Sequence, residues 1–318
     1  MLILGTVFTD FMRTSRYTKL NIHPPFGKQS NPDPVQTILR LATVLLFAGR
    51  AWQHLFWDAP FRALLWDQGI MEGIILSLRG GTWQEFVTSE STDRFIQTLM
   101  LVFGLFYSGM AMLSLFVSKG MKKLTWLYVL SSFFLAFLAF LYCKEKFYHL
   151  GQFFEYAIQI LLPVLFIYTA TGRIERSRLN IFLKASIALT FSAHGLYAIG
   201  FYPQPGVFID MVIQVFNMSE PHVKSFLMVA GVLDFVISIL IFIPRLSRYA
   251  LMYAVAWGGL TALARTWAYF DIDFVMQSLH QHLYQTIYRI PHMLVPLAAL
   301  YITGYIRKNR NSITPVCF

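Results

Sequence analysis

Arginine, histidine and glutamate stand inside long apolar runs of this sequence, where each charge costs at least ~2.5–3.5 kcal/mol on membrane-insertion scales and so needs a partner or a task. Arg50 and His54 are four residues apart, which puts them on one face of a helix. His149, Gln152, Glu155 and Gln159 form a stripe at i, i+3, i+6 and i+10. His194, Asp234 and Arg265 each lie in a different apolar run, and Arg289 with His292 opens the last one. Three chemistries suit these types. Bis-histidine ligation of a haem b needs two histidines on facing helices at equal depth, and His54, His149, His194 and His292 meet the depth condition. A quinone needs one or two hydrogen-bonding groups, for which His54 or His194 with Arg50 or Glu155 would serve. A proton or anion path would use Glu155, Asp234 and the histidines as a relay and Arg50 with Arg265 as the anion site. The pair His280-Gln-His282, with Asp271 and Asp273 before it, carries donors that suit zinc, although two histidines alone are a weak metal pattern. No nucleophile–base pair can be assigned. Interhelical hydrogen bonds and ion pairs explain any one of these residues equally well.

The elements that would position them are eight apolar stretches at about 35–57, 94–117, 124–143, 150–170, 180–200, 223–244, 249–270 and 290–306. Each is near the ~20 residues that cross a hydrocarbon core, and in lipid only helices satisfy such a backbone. Lys and Arg crowd into every second gap: both tails and the turns at 118–123, 171–184 and 245–248 hold 16 of the 26, whereas 11 of the 16 acids lie in the other gaps. That alternation is the positive-inside pattern, and it predicts an even number of crossings with both termini in the cytoplasm of a bacterial inner membrane. Seven of the eight histidines, all but His23, then fall at or near the outer face. Trp52, Trp57, Trp66, Trp83 and Trp267 fall there too, as an aromatic belt or as the walls of a pocket for a flat ligand.

A chain that is 56% hydrophobic and 13% charged is too apolar for an ordinary soluble domain of this length. The net charge of +10 is read as topology-setting contact with anionic lipid, not as nucleic-acid binding. The two cysteines, Cys143 and Cys317, fall on opposite sides of the predicted membrane, so a disulfide is not expected. Residues Met1 to Met12 are apolar but short and lack a basic start, which argues against a signal peptide. Residues 1–34 are expected to form a cytoplasmic arm and 307–318 a cytoplasmic tail.

The chain reads as a duplication of a four-span unit, 35–170 and 180–306. Phe47 to Pro60 aligns with Phe191 to Gln204, each running into an outer loop and a short amphipathic segment, Phe61–Leu78 and Val207–Met218. Gly104 matches Gly231, and His149 to Pro163 matches His282 to Pro296 without a gap, which pairs Gln159 with His292 and Pro163 with Pro296. An even span number makes the two units parallel.

Each unit resembles the DoxX-like family of small bacterial membrane proteins, over roughly residues 35–306. The resemblance lies in the basic, glycine-containing first span (Arg40 … Phe47-Ala-Gly-Arg50), the amphipathic segment after it and the polar or histidine-bearing fourth span. It implies association with quinone-coupled or extracytoplasmic redox chemistry. The expectation is therefore a polytopic all-α protein with a polar pocket in its outer half, binding a quinone or haem. Its alternatives are a transporter for a small anionic or proton-coupled solute, and a scaffold that grips membrane or extracytoplasmic proteins through the 58–93 loop.

Overall fold

Runs as apolar as these leave the backbone no partner but itself, and helix is the outcome. The computed structural model describes residues 33–313, and no strand occurs among them. The expected arm lies, up to residue 32, outside the described residues, as do His23, Met1 to Met12 and Cys317. Helix α1 spans Pro34–Phe56 and starts cleanly: Asp33 accepts from the Val35 N–H at 3.2 Å, and Pro34 sits where no N–H is needed. Three short helices follow, α2 (Arg62–Leu65), α3 (Gln68–Arg79) and α4 (Trp83–Thr88), the last opened by a Thr82/Glu85 capping box. Then come α5 (Glu90–Phe116), α6 (Thr125–Glu145), α7 (Leu150–Phe154), α8 (Ala157–Ala170), α9 (Arg176–Ala198), α10 (Gly206–Phe216), α11 (Glu220–Leu240), α12 (Ser247–Trp267), α13 (Val275–Arg289) and α14 (Pro291–Ile313).

Five stretches among the described residues are long and apolar enough to cross a membrane: Glu90–Phe116, Lys122–Glu145, Leu150–Ala170, Arg176–Ala198 and Glu220–Leu240. The chain is thus a multi-pass, all-helical membrane protein. Its outward faces carry the expected apolar cover, including Leu105 and Met112 on α5, Phe133 on α6 and Ile239 on α11, all more than half exposed. The other three expected spans form α1, α12 and α14, of 23, 21 and 23 residues. Their composition is more mixed because they turn polar groups inward: α1 buries Arg50, Gln53 and His54, and α12 buries Arg265.

Helix α1 packs on α5, α8, α13 and α14, and α9 packs on α11, α14, α7 and α8; α6 pairs with α8, and α12 with α14. One end of the bundle is tied by the Arg40 Nη2–H donating to Val117 O at 2.6 Å, by Arg173 donating to Thr125 and by the Arg176–Asp33 ion pair. The other end, called distal here, carries α2–α4 and α10. There Arg62 pairs with Asp58 and Asp93 at 2.9 and 2.7 Å, Lys144 pairs with Asp67, and the Trp57 indole N–H donates to His280 O. The Lys144 ammonium holds the exposed Asp67 carboxyl below the usual carboxylate range. Small residues bring helices together. A Cβ on Gly104 would stand 2.7 Å from the Leu55 side chain, and one on Gly231 would stand 2.7 Å from that of Ile199.

Candidate functional site

Two helices break at the distal end, and the breaks carry the ionisable groups. Leu150–Phe154 and Ala157–Ala170 are separated at Glu155 and Tyr156; Val275–Arg289 and Pro291–Ile313 are separated at Ile290. The expected loop before the last span is therefore mostly helix α13. Its helical signal was present as Leu279, Leu283 and Ile287 at four-residue spacing, but His280, Gln281, His282 and Gln285 between them masked it. A broken helix in an apolar setting is tolerated where its freed groups find partners, and here the Ile158 N–H donates to the Thr190 hydroxyl of α9 at 3.2 Å.

Glu155, buried at the first break, gathers two donors and a close imidazole. Arg289 Nη2–H donates to Oε1 at 2.8 Å, Gln152 Nε2–H donates to Oε2 at 3.0 Å, and His194 Nε2 stands 3.1 Å from Oε1. The His194 approach is off the ring N–H axis, which makes it an electrostatic contact and not a formed hydrogen bond. The His292 ring faces that of His194 at 5.9 Å, and its Nδ1–H donates to Arg289 O at 2.8 Å. A carbonyl only accepts, so in the neutral ring His292 Nε2 bears the lone pair, and it is buried without a partner.

Arg50, fully buried, is held separately. Its Nη2–H and Nε–H donate to Gln159 Oε1 at 2.6 and 3.1 Å, and Nη1–H donates to Gln53 Oε1 at 2.7 Å. The guanidinium lies 4.0 Å from the Tyr288 ring centre and 5.1 Å from that of Tyr156. Gln53 passes the chain on, donating to the Tyr142 hydroxyl at 2.6 Å. His54 donates from Nδ1–H to Arg50 O at 2.7 Å and is packed among Phe61, Phe103 and Tyr107.

A cavity of about 390 Å³ opens beside this network, enclosed by α9–α14. Its polar end is His194, Arg265, Arg289 and His292; Asp234 and Trp257 lie farther along, and most of the remaining lining is aliphatic or aromatic. Arg265 is 8% exposed, its Nε meets no partner, and it makes no hydrogen bond or ion pair among the described residues. The cavity reaches the bundle surface between α10 and α12, where Phe216, Leu260, Leu263 and Trp267 are 54%, 61%, 57% and 73% exposed.

The eight sequence-predicted ligand residues thus divide. His194, Asp234, Arg265 and His292 line the cavity, and Glu155 anchors two of its wall residues. Arg50 and His54 stand outside it in the first half of the chain. His149 precedes the first residue of α7 without a side-chain capping bond and stacks on Tyr202 at 4.4 Å. His280 lies among Trp52, Phe56 and Trp57, while His282 stacks on Tyr269 at 4.8 Å, so the two point into different surroundings. No group of three or more His, Cys, Asp or Glu among the described residues is placed to hold a metal ion. Tyr156, Tyr288 and Trp257 were not foreseen, because an aromatic in an apolar run gives no sign that its face will meet a guanidinium or a cavity. The chain matches no protein-family model, no characterised protein and no solved structure.

Proposed function

We propose that this protein is an eight-span component of a bacterial inner membrane, both termini cytoplasmic, that binds a lipophilic, quinone-type ligand in the outer half of its second four-helix unit and so serves an extracytoplasmic redox system. One observation carries the reading: a largely apolar cavity with a donor, Arg265, and an acceptor, His292 Nε2, at one end. A quinone carbonyl would accept from the first, and a quinol hydroxyl would donate to the second. Haem suits the site less, since bis-histidine ligation needs two ring nitrogens opposed across the iron, whereas the His194 and His292 rings stack on each other at 5.9 Å. The DoxX-like resemblance is the reason for placing a quinone first among lipophilic ligands.

Contacts between aligned positions support the duplication. Arg50 aligns with His194 and Gln159 with His292, and Arg50 meets Gln159 as His194 meets His292. Arg50 lies over Tyr288, and in the matching place His194 meets Glu155. Leu55 aligns with Ile199, and they receive Gly104 and Gly231 in turn. The same register accounts for the cavity in the second half. His54, Phe103 and Tyr107 fill the first half, where Ala198, Ala230 and Asp234 stand in the second.

The test is a titration of the detergent-purified protein with decylubiquinone, read by quenching of Trp257 and Trp267 fluorescence. Saturable quenching that Ala230→Phe abolishes, with the melting temperature kept, is expected. Non-saturable quenching, or quenching indifferent to Ala230→Phe, overturns the reading.

A further inference from the structure

Three arginines come to the inner side of the distal end, and their charges are not equally answered. Arg289 has Glu155, and that carboxylate is already shared with His194 and Gln152. Arg50 has two glutamine oxygens and two aromatic faces. Arg265 has neither: it is buried, makes no hydrogen bond or ion pair among the described residues, feels the like charge of Arg289 and only the Glu155 carboxylate beyond ion-pair distance in return, and lines the cavity with its Nε–H unpartnered. The carboxylate that lines the cavity, Asp234, lies on α11 and has no ion-pair partner among the described residues, Arg265 included. A buried cation left alone is strongly unfavourable, and a guanidinium fork is shaped for two oxygens of a carboxylate or phosphate. The wall beyond Arg265 is apolar, with Val212, Phe226 and Leu227 along it.

We propose that the cavity binds amphiphiles with an anionic oxygen head, a carboxylate or phosphate, more tightly than a neutral quinone, the head seated on Arg265 and the hydrocarbon tail running toward α10 and α11. This rests on the lipophilic-pocket reading above and goes beyond it, putting an anionic amphiphile ahead of the neutral quinone as the preferred ligand. Arg265 is a binding residue in this scheme, and His292 and Arg289 border the head.

The experiment compares dodecyl phosphate, dodecanoate, dodecanol, decylubiquinone and inorganic phosphate as ligands of the full-length purified protein, by tryptophan quenching and by displacement of a bound tailed anion. The two tailed anions should bind more tightly than dodecanol and decylubiquinone. Arg265→Gln should weaken them at least about tenfold, the scale of one lost charge-assisted hydrogen bond, with Arg265→Lys intermediate and both variants as thermostable as the parent. Dodecanol or decylubiquinone binding as tightly as the anions, with Arg265→Gln neutral, overturns the anionic head while leaving the lipophilic pocket standing. Inorganic phosphate competing as strongly as dodecyl phosphate overturns the tail and makes this a free-anion site. No binding of any tailed compound removes the pocket reading and this proposal with it. If Arg265→Gln does not fold, the ranking of charged against neutral ligands on the parent protein still decides.

Discussion

Arg50 shows how a cation is kept in an apolar bundle without a carboxylate. Amide oxygens of Gln53 and Gln159 take its N–H groups, and the faces of Tyr156 and Tyr288 cover its plane. Arg50→Ala would leave those amide oxygens buried and unpaired, and a loss of about 2–4 kcal/mol is expected. A fall in the melting temperature of the detergent-solubilised protein, with ligand titration at lower temperature unchanged, is the check. His54 should behave similarly. His54→Ala removes a ring packed between Phe61, Phe103 and Tyr107 and should destabilise by about 1–3 kcal/mol while leaving binding intact, whereas His292→Ala should weaken binding and hardly change stability. The opposite assignment of those two effects would move the site to the first half of the chain. At this scale the sequence was legible in one respect: Arg50, His54, Glu155, Asp234, Arg265 and His292 are all buried, as a polar group inside an apolar run announces. Which of them share a wall was not legible, since that depends on helix rotation about its axis, and a single run does not state it.

Helices here are positioned by the absence of side chains as much as by their presence. A Cβ on Gly258 would stand 2.3 Å from His292 O, whereas Gly109 has open space around it. Gly258→Ala should therefore push α12 off α14, cost about 1–3 kcal/mol and disturb the cavity, while Gly109→Ala, also within a helix, should be neutral or slightly stabilising. Thermal unfolding of the two variants side by side tests this, and equal effects would mean that the crossing is not tight. The long apolar helices α5, α6, α9 and α11 follow their expected stretches closely. Helix α13 and the breaks at Glu155 and Ile290 do not, because polar side chains there are satisfied by neighbouring helices that a local pattern does not contain.

For the whole molecule, the ends of the bundle are the quantity to test. The end bearing Arg40, Arg173 and Arg176 should face the cytoplasm, so reporter fusions at Lys119 and Arg176 should read cytoplasmic and fusions near Glu85 and Pro205 external. One inverted reading between them would remove the eight-span proposal. The alternation of charge along the sequence is what predicts the side on which each end lies. The proposed duplication rests, in the sequence, on an order of segments. That a cavity opens among α9–α14 was not legible, since it depends on small side chains such as Ala198 and Ala230 facing it.

The cavity reaches the bundle surface among Phe216, Leu260, Leu263 and Trp267, side chains that would sit in hydrocarbon. The proposed ligand would then be drawn from the bilayer, and the concentration governing its occupancy would be a mole fraction in lipid or detergent, not a molarity in water. Diluting a loaded sample with buffer that keeps the detergent-to-ligand ratio constant should leave occupancy where it was. Adding empty micelles at constant volume should strip the site.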